Sequence, residues 1–126
     1  MDISVHLADK GPMLSILVNN HPTPCILDTG STYTLIPFKL WKKLNLNQNQ
    51  LDTSVLFNIN SASHRNHNAV LGQIVLDLAI KNVNGDEQLI RQKCLILRPE
   101  LQLQLVLLGN DFLLKNSVGI TILQAE

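Results

Sequence analysis

Apolar runs of strand length, separated by turn-forming residues, limit the fold of this chain more than any other feature of its sequence. Hydrophobic residues take every second position in residues 3–7 and again in 118–122. Because successive side chains of a strand face opposite sides of a sheet, this alternation is typical of β-strands. Only two short segments have the three- and four-residue spacing of a helix. The pattern therefore predicts an all-β protein with one or two short helices.

Residues that favour turns lie between the predicted strands. Residues 19–22, Asn-Asn-His-Pro, combine asparagine, which tolerates a left-handed backbone, with proline, which fixes φ. Asn84-Gly85 lies between apolar runs and predicts a two-residue turn with positive φ at both positions. With a polar tip at 61–68, these turns predict three hairpins. The first joins strands 13–18 and 24–27, and the second joins strands 55–59 and 69–80. In the third, the strand 69–80 pairs with the strand 87–97.

The first predicted helix covers residues 37–45. Leu40, Trp41 and Leu44 have helical spacing, and the preceding Pro37 suits a first helical turn, where its missing N–H is not needed. The polar residues 45–52 that follow are too few for an interdomain linker and are interpreted as a loop within one domain.

A further strand and a second helix are predicted near the end of the chain. Leucine takes every second position in residues 101–107, which predicts a strand that ends at Gly109. Asn110 can then cap a brief helix over 111–115, because its side chain can accept a hydrogen bond from an amide of the first turn.

Charge and composition exclude several classes of function. The 126 residues include ten basic and ten acidic side chains, and 45% are hydrophobic. This predicts a single domain over residues 1–126 and no nucleic-acid or membrane partner, since such binding needs a basic surface. No apolar run reaches the roughly 20 residues that span a bilayer, and no export signal is evident.

Cys25 and Cys94 are predicted to be buried free thiols of a reducing compartment, although their spacing leaves a disulfide open.

Residues 25–32, Cys-Ile-Leu-Asp-Thr-Gly-Ser-Thr, run from apolar side chains directly into an acid. An acid at the end of a buried strand is costly unless hydrogen bonds stabilise its charged form. The amides and hydroxyls of residues 29–31 can supply those bonds, and Gly30 permits close approach of another backbone. Taken alone, the motif also fits an ordinary turn in which Asp28 bonds to amides two and three residues further on.

In its context this motif resembles that of the retropepsins, the aspartic proteases of retroviruses and LTR retrotransposons within the pepsin-like superfamily. The resemblance extends along nearly the whole chain and depends on two motifs. The first is Ile-Leu-Asp-Thr-Gly-Ser at 26–31, followed by Leu-Ile-Pro and a short helix; the second is Leu-Leu-Gly-Asn-Asp-Phe-Leu at 107–113. The resemblance implies a closed β-barrel that forms one half of an acid protease, and peptide hydrolysis that requires no cofactor.

The resemblance also implies roles for the residues of the first motif. Asp28 would be the catalytic acid, Thr29 would hold the two active-site loops together through its hydroxyl, and Gly30 would allow close approach of loop and substrate. Ser31 and Thr32 would contact the substrate. If the Ser31 hydroxyl bonds to Asp28, it favours the ionised carboxylate, which predicts a more acidic working range than alanine would give at this position.

A flap and an apolar substrate wall are implied as well. The hairpin over 55–80 would close over an extended substrate, with the small residues Ser61, Ala62 and Ser63 at a tip that is glycine-rich in the family. Leu105 and Leu107 match the wall that lines the family's specificity pockets, which predicts apolar residues around the cleaved bond. Both leucines also fit an ordinary hydrophobic core.

The chain contains one candidate catalytic acid, Asp28, because none of its other aspartates is followed by Thr-Gly or Ser-Gly. Peptide hydrolysis of this type needs two carboxyl groups that share a proton, so the second Asp28 would come from an identical chain across a two-fold axis. The predicted unit is a homodimer joined through apolar terminal strands, which would otherwise be open sheet edges. It would process a peptide or polyprotein in the cytoplasm or in a virus-like particle.

Two other interpretations stay open. The chain could be a cellular domain similar to that of the ubiquitin-shuttling DNA-damage-inducible proteins, or a β-rich dimerisation module that keeps the loop without the activity. His64 and His67 have no third ligand at metal spacing and are interpreted as solvated loop residues, so no metal is expected. No base is indicated beside Cys25, so it is not interpreted as a nucleophile.

Overall fold

The computed structural model describes residues 1–54 and 69–123. The predicted strand 55–59, the flap tip at 61–68 with Ser61, Ala62 and Ser63, and the two loop histidines lie outside these residues. The described elements confirm an all-β fold with two short helices. In chain order they are β1 (Asp2–Ala8), β2 (Gly11–Val18), β3 (His21–Leu27), β4 (Leu35–Ile36), α1 (Phe38–Leu44), a 3₁₀ turn (Gln48–Gln50), β5 (Val70–Lys81), β6 (Glu87–Leu97), a second 3₁₀ turn (Pro99–Leu101), β7 (Val106–Leu108), α2 (Asn110–Lys115) and β8 (Gly119–Leu123).

Six strands close into a barrel. The hydrogen-bonded order runs β3, β7, β4, β6, β5 and β2, and β2 also pairs with β3, which completes the ring. Strand β2 pairs with three neighbours. Along one edge it pairs with β3, and along the other its first half pairs with β1 while Leu17 and Val18 pair with β5. Strands β1 and β8 continue the sheet outside the ring. The closed barrel predicted from the resemblance is therefore confirmed.

Alternating apolar residues fill the barrel. In β5, Ile74, Leu76 and Leu78 are buried, whereas Val75 and Asp77 between them face solvent. This is the two-residue period expected of a strand with one buried face. The buried residues of the two helices join the same core: Leu40, Trp41 and Leu44 of α1 and Phe112 and Leu113 of α2.

The hairpin turns follow the sequence prediction in one case and differ from it in another. Asn19 and Asn20 both have positive φ, 45° and 70°, and join β2 to β3 in a two-residue turn. The turn between β5 and β6 was expected to be equally short, but only Gly85 has positive φ, 86°. The loop is longer because the Asn82 carboxamide oxygen accepts hydrogen bonds from the amides of Asn84 and Asp86 and so stabilises a wider turn.

Residues 101–105 do not form the predicted strand. Pro99–Leu101 forms a 3₁₀ turn, and Gln102 has a left-handed backbone with φ of 51°, which a strand cannot contain. Strand β7 begins only at Val106 and is three residues long. It lies between β3, which is parallel to it, and β4, which is antiparallel.

Both helices are close to their predicted positions, but one predicted cap is wrong. Helix α1 begins after Pro37 and ends at Asn45, whose backbone is left-handed. Helix α2 begins at Asn110, so the capping position belongs to Gly109. In place of the Asn110 side chain, the Asp111 carboxylate accepts the hydrogen bond from the Phe112 amide, at 2.7 Å. No helix in the described residues is long and apolar enough to cross a bilayer.

The two ends of the described chain pair with each other. Strand β1 lies between β2 and β8, and β8 runs parallel to it, with Asp2 opposite Gly119 and His6 opposite Leu123. Strand β8 has no second neighbour among the described strands. Its side chains are exposed on both faces, including Ile120 at 43% and Ile122 at 50%.

Cys25 and Cys94 are buried free thiols, as predicted. Burial raises the pKa of Cys25 to about 12, because desolvation penalises the thiolate. The pKa of Cys94 is raised for the same reason, and the charge of Asp111 adds to the effect. Above pH 9.0 an ordinary, unfolded thiol ionises, whereas buried Cys25 stays protonated. The stability that the buried, protonated thiol contributes to the folded state is thus fully present below pH 9.0 and is lost as the pH rises towards 12.

We therefore expect the free energy of unfolding to fall with increasing pH by up to about 1.4 kcal/mol per pH unit for each thiol once the unfolded thiols ionise. Urea unfolding across the alkaline range measures this slope. Cys25→Ala should lower stability below pH 9.0, where the thiol is protonated in both the folded and the unfolded chain, and it should also make the slope shallower. A slope that does not change on this substitution would contradict the explanation.

Candidate active site

The loop of residues 28–32, which we call the catalytic loop after its predicted role, begins where β3 ends. β3 and β7 lie side by side in parallel, with Leu27 opposite Leu108. The chain leaves β3 at Asp28, whose amide still donates to the Leu108 carbonyl oxygen at 2.9 Å. The last hydrogen bond of the strand pair thus places the backbone of Asp28 at a fixed point beside the second motif.

The Asp28 side chain is held by the loop that follows it. The Gly30 amide donates to Asp28 Oδ1 at 2.9 Å, and the Ser31 amide donates to the Asp28 carbonyl oxygen at 3.1 Å. A Cβ at position 30 would lie 3.2 Å from Oδ1, so glycine leaves room for this carboxylate. Asp28 is half-buried, and Thr29 and Gly30 are exposed.

The Ser31 hydroxyl does not make its predicted contact. It donates to the Tyr33 carbonyl oxygen at 2.6 Å, and not to the carboxylate of Asp28. The hydroxyl reaches a carbonyl two residues further along the chain, which is the local side-chain to backbone bond that serine commonly forms. The predicted hydrogen bond from the Ser31 hydroxyl to Asp28 is therefore wrong, and the more acidic working range that was expected from it loses its physical reason.

The second motif holds the catalytic loop through its backbone. The amides of Asn110 and Asp111, in the first turn of α2, donate to the carbonyl oxygens of Ser31 and Thr32 at 2.8 and 3.1 Å. The Asn110 carboxamide donates to the Thr29 carbonyl oxygen at 2.7 Å. Three successive parts of the loop are thus fixed by two adjacent residues of α2, which accounts for the paired motifs in the sequence.

Gly109 allows this contact because it has no side chain. A Cβ at this position would lie 2.4 Å from the Tyr33 carbonyl oxygen and 2.8 Å from that of Ser31. Both are backbone atoms, which cannot move aside as a flexible side chain can. The conformation of Gly109 itself, with φ of −91°, is open to any residue, so the requirement for glycine is steric.

A buried polar network lies behind the loop, and sequence reasoning missed it. Asp111 accepts hydrogen bonds from the Thr34 amide, from the Thr34 hydroxyl at 2.8 Å and from the Gln92 carboxamide at 3.1 Å. The Thr34 hydroxyl in turn accepts from the Gly109 amide at 3.2 Å. Thr34 and Gln92 are 0% and 3% exposed and Asp111 is half-buried, so these bonds are partly shielded from water. The network joins the catalytic loop, the second motif and β6.

The remaining predicted site residues lie in different elements of the fold. Leu107 pairs with Ile26 on one side and with Leu35 on the other, so it belongs to the strand beside the catalytic loop. Leu105 precedes β7, and both leucines are half-buried. Thr32 is an exposed residue of the loop itself. Their part in substrate binding, and that of residues 61–63, stays a prediction.

The described residues 1–54 and 69–123 contain no cluster of three or more potential metal ligands. The chemistry that the loop offers is that of one oriented carboxylate. It is held by an amide on Oδ1, and the loop around it is fixed by the second motif. One such group can transfer a proton, but hydrolysis of the aspartic-protease type needs a second carboxyl group beside it.

Solved structures show the same fold at low sequence identity. A retropepsin-like aspartic protease from Rickettsia conorii has a TM-score of 0.61 and 19% identity, over 88% of this chain and 76% of that chain. EIAV protease complexed with the inhibitor HBY-793 has a TM-score of 0.52 and 16% identity, over 87% and 91%. The retroviral protease-like domain of Ddi1 from Leishmania major has a TM-score of 0.56 and 11% identity, over 83% and 76%. No curated protein sequence matches the chain.

Barrel, catalytic loop and second motif together define a retropepsin-like aspartic protease fold, as the sequence motifs predicted. The sequence model of the family described as "gag-polyprotein putative aspartyl protease" matches residues 14–115. That range contains both motifs and most of the chain. The protein therefore belongs to the gag-polyprotein aspartyl protease family.

Proposed function

We propose that the protein is a homodimeric aspartic endopeptidase in which each chain supplies one Asp28 carboxyl group. The observation that carries this proposal is the Asp28 carboxylate oriented by the Gly30 amide within a loop fixed by the second motif. The family match supports the same chemistry. Since each chain has one Asp-Thr-Gly motif, the second carboxyl group comes from an identical chain.

Two such groups about 3 Å apart cannot both ionise, so the pair keeps one proton in mildly acidic solution. The ionised carboxylate takes a proton from a water molecule as that water attacks the peptide carbonyl carbon. The protonated carboxyl group donates to the developing oxyanion, and the roles reverse as the amine leaves. In this mechanism the Gly30 amide and the second motif position Asp28, Thr29 holds the two active-site loops together through its hydroxyl, and Ser31 and Thr32 contact the substrate.

The substrate is proposed to be a polyprotein, cleaved between apolar residues. Leu107 pairs with Ile26, two residues before Asp28, and with the half-buried Leu105 it would supply an apolar wall. The matching family is one of gag-polyprotein proteases. Viral, bacterial and Ddi1 domains share this fold, and the match to the gag-polyprotein family favours polyprotein processing over a cellular role. Two buried free thiols support a reducing compartment, the cytoplasm or a virus-like particle, as the place of action.

Cleavage of two matched peptides tests this function. One peptide has an apolar pair at its centre, and in the other glycine and aspartate replace that pair. We expect cleavage of the first alone, between its apolar residues, in mildly acidic solution, with inhibition by pepstatin. A protein that cleaves neither peptide, or that is insensitive to pepstatin, would contradict the proposal.

The proposed dimer forms through β8. Strand β1 has a neighbour on each side, β2 along residues 6–8 and β8 along residues 2–6, whereas β8 has no second neighbour among the described strands. Ile120, Ile122 and Leu123 are between 42% and 50% exposed on this strand. An uncovered apolar edge strand is a template for pairing with another chain. A second β8 related by a two-fold axis would pair with it in antiparallel orientation.

Ile120→Lys with Ile122→Lys is therefore expected to weaken the dimer by about 100-fold or more, because both copies lose apolar contacts and gain facing charges. Sedimentation velocity over a range of concentrations measures the dissociation constant. The matched control, Val83→Lys with Leu89→Lys, adds the same charge at exposed apolar residues of the β5–β6 hairpin. Equal dimerisation of both double variants would exclude β8 as the interface.

A further inference from the structure

Helix α1 borders a groove that the proposed catalytic site does not use. Two adjoining concavities, of about 320 and 290 Å³, share Lys39 and Gln104 in their linings. The first extends towards Arg98 and the second towards Pro24 on β3. We call these two concavities together the α1 groove.

The rim of the α1 groove is basic. Lys39, Lys42, Lys43 and Arg98 line it, and no aspartate or glutamate does. All four side chains are exposed, and the one salt bridge within residues 1–54 and 69–123 is elsewhere, between Arg91 and Asp77. In a chain with equal numbers of basic and acidic residues, four uncompensated cations on one surface are a local excess of positive charge.

The floor of the groove is apolar. Phe38 and Leu103 line one part, and Pro22 and Pro24 line the other. The ammonium group of Lys42 lies 5.8 Å from the centroid of the Phe38 ring. A basic rim above an apolar floor suits a chain that carries both acidic and apolar side chains. A bare polyanion would leave the floor unused.

The groove adjoins the proposed catalytic site through the strands. Pro24 lies four residues before Asp28 on β3, a separation of about 13 Å along an extended chain. Val106 is paired with Cys25 in the same two strands. Val106 and its partner Cys25 are both fully buried in the barrel core, whereas Pro24 lies on the opposite face of β3, which it shares with Ile26 and therefore with Leu107, the partner of Ile26. The groove therefore lies on the same face of the β3–β7 pair as Leu107 of the proposed substrate wall.

We propose that the α1 groove binds an acidic, partly apolar segment of the polypeptide substrate, outside the residues around the cleaved bond. This rests on the proposed protease function and adds a recognition surface to it. The occupant is identified by charge complementarity with the four cations and by the apolar floor. A substrate segment held there would raise the local concentration of the cleavage site at Asp28.

Binding is tested on Asp28→Asn protein, so that no cleavage occurs during the measurement. The probe is a fluorescein-labelled peptide in which glutamate alternates with leucine, and a second probe has glutamine in place of glutamate. We expect Lys39→Glu with Arg98→Glu to weaken binding of the glutamate probe by about tenfold or more. Fluorescence anisotropy at low and physiological salt measures it, and added salt should weaken the binding.

The matched control, Lys10→Glu with Lys93→Glu, changes the net charge equally at exposed residues away from the groove. Binding that falls equally in both double variants, or that is equal for the glutamate and glutamine probes, would overturn the proposal. Polyuridylate that binds the groove more tightly than the glutamate probe would also overturn it, in favour of a nucleic acid.

A cleavage measurement separates this proposal from the proposed function. With wild-type Asp28, Lys39→Glu with Arg98→Glu should cleave a short neutral peptide at the normal rate. It should cleave the same peptide extended by the glutamate-leucine segment with a raised KM. Equal kinetics on the extended peptide would overturn groove binding and leave the protease function intact. Absence of cleavage by every protein would refute the protease function, while anisotropy still reports on the groove.

Discussion

Asp28→Asn is expected to abolish peptide hydrolysis, with a loss of about 10³-fold or more in kcat, because the amide can neither take a proton from water nor give one to the oxyanion. The substitution keeps the shape of the side chain, and its oxygen can still accept the hydrogen bond from the Gly30 amide. The fold should therefore survive. Initial rates on the apolar peptide, together with urea unfolding, separate these two effects.

Asp9→Asn is the matched control, since it makes the same chemical change in the exposed turn between β1 and β2. Mixing experiments make the test sharper. If each active site needs Asp28 from both chains, then activity at fixed total protein should follow the square of the wild-type fraction as Asp28→Asn protein is added and chains exchange. A linear decrease would show that one chain suffices and would refute the shared site.

Gly109→Ala should have the largest effect on stability, a loss of about 3 kcal/mol, because the new methyl group must displace backbone. Its Cβ would lie 2.4 Å from the Tyr33 carbonyl oxygen and 2.6 Å from the carbonyl carbon. The catalytic loop would have to move away from α2, so cleavage should fall as well. Urea unfolding measures the first effect, and the peptide assay measures the second.

Gly85→Ala provides the contrasting control. Gly85 has φ of 86°, which alanine adopts with strain, but no atom lies within 4 Å of its added Cβ. We expect a cost of about 1 kcal/mol, with no change in cleavage. If the two substitutions cost the same, the steric explanation for Gly109 is wrong, and conformational preference alone would account for both.

Those parts of the fold that depend on neighbouring residues could be predicted from the sequence. The Asn19-Asn20 turn and the helix after Pro37 depend on backbone preferences that a few adjacent residues express. The Asp-Thr-Gly motif likewise indicates its own loop, because the Gly30 amide that holds Asp28 is two residues away.

Other parts depend on residues that the sequence separates widely. Thr34 and Asp111 are 77 positions apart, and nothing near either residue indicates that they bond. The leucines of 101–107 have the alternation of a strand, but the left-handed backbone at Gln102 interrupts it. The Ser31 hydroxyl had two nearby acceptors, and only the geometry of the loop selects the Tyr33 carbonyl. Residue types alone do not resolve such choices.

The pairing of distant segments also bears on how the protein folds. The Gly119 amide bonds to the Met1 carbonyl oxygen, and the Asn110 carboxamide bonds to Thr29, 81 positions away. Domains dominated by contacts of this kind fold slowly, because long loops must close before the contacts form. During synthesis the Asp-Thr-Gly segment leaves the ribosome well before the residues that fix it. A nascent chain should therefore be inactive until α2 has emerged, and strand β1 should lack its β8 neighbour until Gly119–Leu123 has emerged.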